Sequence, residues 1–346
     1  MISDKKSSRR RFIRGCLAAA GVAAIGGVDW AHGASALSAK DAYSGGGQRP
    51  RYLELARSGE LERREKALWA MLERCNLCPR LCGDNRLAGM AGVCGIAETF
   101  RVSSYGPHMG EEAPLVGRRG SGTIFFSNCN LLCAYCQNWE INHRGDGRLT
   151  SHSELARIML LIQRSGCHNI NVVTPTHLVP HIVRALRLAI ADGLHLPLVY
   201  NSSAYDSLEV IRLLDGIVDI YLPDFKYQDA EMAARFSMGA PDYPLHAAAA
   251  IKEMHRQVGV LKQTNGIAYQ GLLIRHLVLP ENAAGTDGFV CWVASELGKD
   301  THVNIMGQYA PQYRAHEHPP LSRRPTRQEL SQAMQWAREA GLRNFH

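Results

Sequence analysis

Short apolar runs alternate with segments of helical period over most of the chain. The runs TIFFS (123–127), NINVV (169–173), LPLVY (196–200), VDIYL (218–222), LLIRHLVL (272–279) and HVNIM (302–306) predict strands, since short apolar runs set between helical patterns suit a parallel sheet covered on both faces. Between the first two, Ser151 and Glu154 form a capping box, Leu155, Ile158, Met159 and Ile162 share one helical face, and Gly166 supplies a stop. Further helices are expected from Leu178 to Asp192, near 206–214, 242–259 and 286–298, and finally from Thr326 and Glu329 to Gly341. Residues 51–74 are charged with Leu53, Leu61, Leu68 and Leu72 spaced along them, which predicts a surface helix. Six strands separated by helices imply parallel βα units, because a parallel neighbour needs a long crossover. An α/β chain of this kind is either an open, partial barrel or a doubly wound sheet, and in both the ligands gather at the carboxyl ends of strands.

Composition narrows the classes. The 346 residues, 46% hydrophobic and 21% charged, have room for one large domain or two smaller ones. No window reaches the roughly 18–20 apolar residues of a spanning helix, which excludes a polytopic membrane protein. The formal charge of +7 belongs largely to the amino terminus: six of 39 basic and two of 32 acidic residues lie in 1–36, which leaves 33 against 30 elsewhere. No nucleic-acid partner is expected from so even a balance. Residues 1–36 read as a twin-arginine signal-like segment: Arg9, Arg10 and Arg11 precede Phe12, an uncharged stretch from Gly15 to Val28 follows, and Ala34-Ser35-Ala36 is a small-x-small cleavage site. The twin-arginine export machinery is then an expected partner. Residues 37–50 read as a linker, 51–115 as a helical and Cys-rich subdomain, and 116–346 as a core domain with a C-terminal helix.

Seven of the ten cysteines fall between positions 75 and 136, in two tight groups, a distribution that argues for metal rather than for pairing. The second group, CNLLCAYCQN, places Cys129, Cys133 and Cys136 in a C-x3-C-x2-C array with Tyr135 before the last cysteine. Three thiolates in so short a loop hold three irons of a [4Fe–4S] cluster and leave the fourth iron for a substrate or cosubstrate. With His143 as a fourth ligand the same thiolates suit zinc.

This array, with its aromatic, resembles the radical S-adenosylmethionine (SAM) superfamily, in which the loop follows the first strand of a partial (β/α)6 barrel. The resemblance implies a fold of that type with a small Cys-rich N-terminal subdomain, and an enzyme in which the reduced cluster cleaves SAM to a 5′-deoxyadenosyl radical that abstracts hydrogen. Within the superfamily, PDFKY (Asp224 and Lys226), RHLVLP (Arg275) and YNSSAY (Asn201 and Ser202) are similar to SAM-contacting positions of the pyruvate formate-lyase activating enzyme-like subgroup, over about residues 75–342. The resemblance implies a low-potential electron donor and, as partner, a glycyl-radical enzyme or another protein substrate. One departure is plain. Where the activases carry Gly-Gly-Glu-Pro, whose carboxylate receives the SAM ammonium, this chain has Val173-Thr174-Pro175-Thr176-His177, and only Thr174, Thr176 or main-chain oxygens are there to accept. His177 reads equally as a core histidine.

The first group, Cys75-x2-Cys78-x3-Cys82-x11-Cys94, offers four thiolates among Arg80, Arg86, Gly83, Gly89 and Gly92. It suits structural zinc or a second iron–sulfur cluster; reduced cysteines packing a subdomain, or two disulfides after export, are the other readings. An exported iron–sulfur electron-transfer protein without SAM chemistry is the alternative function. The leader points outward while SAM and strong reductants are cytoplasmic, so the location stays open.

Overall fold

The computed structural model describes residues 49–346; the twin-arginine-like segment 1–36 and the linker up to residue 48 lie outside the described residues. In chain order the strands are β1 (Phe100–His108), β2 (Ser121–Phe126), β3 (Arg148–Thr150), β4 (Ile170–Val173), β5 (Leu198–Asn201), β6 (Ile220–Tyr221), β7 (Lys262–Thr264), β8 (Ile267–Leu277), β9 (His302–Met306) and β10 (Asn344–Phe345). The six apolar runs are β2, β4, β5, β6, β8 and β9. Their order in the sheet is β10-β9-β8-β6-β5-β4-β2-β1-β3, with β7 on β8. Along the path from β2 to β10 every pairing is parallel, while β7 runs antiparallel to β8 and β1 antiparallel to β2 and β3.

Residues at or just beyond the carboxyl ends of β2, β4, β5, β6, β8 and β9, among them Phe125, Val173, Asn201, Asp224, Leu277 and Met306, line one cavity. Convergence of six strand ends on one space is what a curled sheet gives, so the architecture is the open, partial barrel rather than the doubly wound sheet. The helices between strands bury their apolar faces on it. In His152–Arg164, Leu155, Met159 and Ile162 are buried, and the expected capping box forms, with Ser151 Oγ accepting from Glu154 N–H. A second box opens Arg327–Glu339 at Thr326 and Glu329. The helix packs so closely on β2 that a Cβ on Gly122 would stand 2.1 Å from Ile162 Cγ2 and 2.4 Å from the Asn169 carbonyl oxygen. Only glycine fits there.

Three features differ from the periodicity. Residues 51–74 form two helices, Tyr52–Arg57 and Glu60–Ala70, because Gly59 turns the chain at φ 78°. β1 lies within 51–115 and joins the barrel's own sheet; its FRVSSYGPH alternates only at the start and leaves much of the strand exposed, a weak signal for a strand. The helix Ala230–Phe236, capped by Asp229 accepting from Met232 N–H, is short enough to leave little period to detect. Among the described residues no helix is long and apolar enough to cross a membrane.

Candidate functional site

The loop that leaves β2 is pinned from all sides before any cofactor is considered. Ser127 N–H donates to the Arg101 carbonyl (3.1 Å), Asn128 N–H to Ile141 (3.0 Å) and Ala134 N–H to Phe236 (2.8 Å), while the Ala134 carbonyl accepts from Arg314 N–H (2.9 Å). The Ser127 carbonyl lies 3.0 Å from His177 Nε2. Burial depresses the His177 pKa to about 3, so the ring is neutral and donates this bond through Nε2–H. His177 is therefore a buried brace for the loop. Asn128 (φ 71°) and Leu132 (φ 56°) take left-handed conformations that bend the loop back on itself; for Leu132 this is costly and requires the anchoring just described.

Within this loop Cys129 and Cys133 are buried and Cys136 is half-buried. Each sulfur faces a donor: Leu131 N–H to Cys129 Sγ at 3.4 Å, Ser237 Oγ–H to Cys133 Sγ at 3.2 Å, and Asn142 Nδ2–H to Cys136 Sγ at 3.3 Å. Such bonds favour sulfur in its charged form. Burial works against them, raising the Cys129 pKa and pushing the Cys136 thiol up to about 12, so these thiols wait on a positive centre to become thiolates. His143 is not free to join them at its Nε2, which meets the Cys133 carbonyl at 3.1 Å. Among the described residues no three His, Cys, Asp or Glu side chains converge to hold a single metal ion. Three sulfurs spread around a loop, each with its own donor, fit a polynuclear iron–sulfur group, in which each thiolate takes a different iron.

A polar wall from the ends of three strands, β5, β6 and β8, lines the same cavity. Asp224 binds Lys226 Nζ through Oδ2 (2.9 Å) and Arg275 Nε through Oδ1 (2.6 Å), and Arg275 reaches Asn201 Oδ1 with a second nitrogen (2.6 Å). Burial alone would raise the Asp224 pKa, but Arg275 and Lys226 more than reverse this and hold it below the usual carboxylate range. Ser202 lines the cavity, yet its hydroxyl donates to buried Asp206 (2.7 Å) and accepts from Ala204 N–H (3.0 Å). The Tyr135 ring is buried edge-on against Tyr227 and Tyr309 and also borders the cavity. The predicted residues Cys129, Cys133, Tyr135, Cys136, Asn201, Ser202, Asp224, Lys226 and Arg275 thus meet in one space of about 250 Å³. Cys75, Cys78, Cys82 and Cys94 lie outside it.

Several members of the site were not read from the sequence. Glu111 follows β1, lines the same cavity and approaches Arg275 at 3.4 Å, with its carboxyl pushed up to about 7 by burial. Its neighbour Glu112 accepts from Asn304 Nδ2 at 3.0 Å. Ser237 sits just past a helix the periodicity missed, and Asn142 at the end of the short helix Trp139–Asn142. Of the two threonines at the altered β4 corner, Thr174 lines the cavity at φ 57°, with its N–H on the Asn201 carbonyl (2.9 Å), while Thr176 is buried beside Tyr200 and Asp206. The Asp206 carboxylate at that corner is occupied by the Tyr200 and Ser202 hydroxyls and does not line the cavity, and Glu111 lines it from the β1 side.

A wall of half-buried ion pairs at the strand ends of a partial barrel, in one cavity with a three-cysteine loop, agrees with comparison to known families. The model of the radical SAM superfamily matches residues 123–268, and the chain belongs to that superfamily. It is therefore an enzyme of SAM-dependent radical chemistry, in a family that uses a [4Fe–4S] cluster and SAM. Over 300 residues the chain is 31% identical to the uncharacterized protein MJ0674 of Methanocaldococcus jannaschii, covering 84% of this chain and 82% of that one. Among solved structures it is similar to a radical SAM methyltransferase from Sphaerobacter thermophilus (15% identity, 65% of each chain, TM-score 0.45). It is also similar to HydG, a maturase of [FeFe]-hydrogenase (12% identity, 62% of this chain and 49% of that one, TM-score 0.44).

Proposed function

We propose that Cys129, Cys133 and Cys136 hold the [4Fe–4S] cluster, that the wall in the same cavity binds SAM, and that the enzyme abstracts a hydrogen atom from a partner protein in the manner of the glycyl-radical activases. When bound, cluster and cosubstrate together supply a 5′-deoxyadenosyl radical. The chain's own part is positioning and charge. The three sulfur-directed donors stabilise thiolate character, and the buried loop keeps water from the reactive centre. Asp224, fixed between Lys226 and Arg275, presents a rigid polar surface; Asn201 is oriented by Arg275, and Thr174 and neighbouring main-chain oxygens offer acceptors to an ammonium group where a carboxylate is lacking.

The observation that carries this reading is that three hydrogen-bonded thiols border the same cavity as the Asp224–Arg275–Asn201 network. Assignment to the pyruvate formate-lyase activating enzyme-like subgroup is supported by Asp224, Lys226 and Arg275 forming one ion-pair cluster rather than three separate surface pairs. The test is anaerobic incubation of the dithionite-reduced, iron-loaded protein with SAM. 5′-Deoxyadenosine is expected from the natural sequence and none above background from Cys133→Ala. A loaded, reducible cluster that forms no 5′-deoxyadenosine overturns the proposal and leaves an electron-transfer protein.

A further inference from the structure

We propose that Cys75, Cys78, Cys82 and Cys94 bind a second iron–sulfur cluster, closed by four thiolates, that passes single electrons to the Cys129–Cys136 loop. The relay role rests on the function proposed above; the binding site stands without it.

The backbone first gathers the sulfurs. Cys75 N–H donates to the Asp84 carbonyl and Gly83 N–H to the Cys75 carbonyl, both at 3.0 Å, which closes a loop holding Cys78 and Cys82. The 92–94 segment then folds onto it. Val93 N–H lies 3.4 Å from Cys82 Sγ, and a Cβ on Gly92 would stand 2.8 Å from the same sulfur, a contact only glycine permits. Cys94 lies within electrostatic reach of Cys75, Cys78 and Cys82. All four are free thiols, not the disulfides that export would allow.

A second observation is independent of the cysteines. Arg86 is fully buried, yet among the described residues no carboxylate pairs with it. Its Nε donates to the Ala97 carbonyl (3.1 Å) and one terminal nitrogen to the His177 carbonyl (2.8 Å), while the other terminal nitrogen is buried without a partner. A buried cation left this way is expensive unless a negative group faces it. The nearby group able to supply that charge is the set that includes Cys94. Four thiolates around a metal centre leave net negative charge beside Arg86, which closes the account. One zinc would draw the sulfurs together on a single ion, and no such convergence exists among the described residues. A cluster lets each sulfur take its own iron.

The group is also wired to the radical-chemistry loop. Arg80 donates to the carbonyls of Asn130 (3.1 Å), Ser237 (3.0 Å) and Met238 (2.9 Å), gripping both the cysteine loop and the segment whose Ser237 hydroxyl faces Cys133. The Asn130 amide faces the Cys78 sulfur, and Asn130 is covalently next to Cys129. Gly95 meets the Asn128 side chain, where a Cβ would come within 2.9 Å of Nδ2. Cys82 and Cys94 are only half-buried, which leaves two ligands open toward the surface, where a reductant arrives. One electron enters from a low-potential one-electron donor and one leaves for the inner loop, with no bond made or broken and no proton moved.

The test is iron, acid-labile sulfide and zinc analysis of the anaerobically reconstituted full chain, with electron paramagnetic resonance after reduction. About eight irons per chain are expected for the natural sequence, and about four each for Cys133→Ala and for Cys78→Ser/Cys82→Ser, each variant losing a different signal. In the double variant, reduction of the remaining cluster by a reduced ferredoxin should slow several-fold, while dithionite still supports 5′-deoxyadenosine formation. Zinc in place of iron, or a double variant that keeps all its iron, overturns the site. Unchanged ferredoxin reduction overturns the relay. A Cys133→Ala protein that keeps all its iron strikes the functional reading instead, so the two failures are separable.

Discussion

Arg275 and Arg86 are two guanidinium groups carried inside one fold and neutralised in opposite ways. Arg275 meets Asp224 at 2.6 Å and Glu111 at 3.4 Å, so the protein balances it alone. Arg86, more deeply buried, has carbonyls for partners and, among the described residues, no carboxylate. The contrast separates two kinds of site. The cavity wall is electrically balanced within the chain, whereas the N-terminal cysteine group would be balanced only with the anionic centre proposed for it.

Four measurements would break or sharpen this contrast. The largest effect is expected from Asp224→Asn, which strands Arg275 and Lys226 with much less compensation; unfolding free energy at pH 7 should fall by about 3–5 kcal/mol. A loss under about 1 kcal/mol would mean that the wall is not held by this carboxylate.

Next is Glu111→Gln. Burial raises the Glu111 pKa from the usual 4.5 to about 7, so the folded protein keeps a proton that the unfolded chain releases. Its contribution to stability is complete below about pH 4.5 and is lost as the pH rises through 7, by roughly 3 kcal/mol in all. Asp219, buried and likewise raised to about 7, adds a parallel fall that begins lower. Urea unfolding from pH 4 to 8 should show the Glu111→Gln protein with a shallower decline, owed to Asp219; identical slopes would place the Glu111 proton elsewhere.

Arg86→Met should reverse sign with iron. In the metal-free protein, exchanging an uncompensated buried charge for an apolar chain of similar length is expected to be neutral or to stabilise by about 1–4 kcal/mol. In the iron-loaded protein the same change should lower both melting temperature and iron retention. Destabilisation of equal size in both states would make Arg86 a packing residue only.

Smallest is Ser237→Ala, which removes the hydroxyl facing Cys133. A hydrogen bond worth about 1 kcal/mol corresponds to a drop of roughly 40 mV in the one-electron potential, because the bond favours the more negative, reduced state. A redox titration followed by electron paramagnetic resonance reads this directly, and no change would show that the bond does not reach the cluster's electronics.

Much of this site was legible in residues. The three cysteines, Asp224, Lys226 and Arg275 fall at ends of apolar runs, and parallel βα topology brings strand ends together whatever the intervening sequence. The caps at Ser151 and Thr326 carried their own chemistry. What escaped came from elements that periodicity does not mark. Glu111 reaches the cavity from β1, half exposed and antiparallel at the flank of the barrel; Ser237 follows a two-turn helix. A Glu-Glu pair in a loop is ordinarily a solvated feature, and nothing local announces that Arg275, distant in sequence, awaits one of them. The isolation of Arg86 was equally invisible, since a sequence displays which partners exist and not which are absent from a given interior.

Thr174 holds φ 57° with a branched side chain, a conformation costing of order 1–3 kcal/mol that neighbouring structure must maintain. At that corner of the cavity, then, the direction of the peptide backbone is set by the turn and the N–H bond to the Asn201 carbonyl. Glycine is the replacement that would relax the turn without re-aiming it, at the loss of the Thr174 hydroxyl.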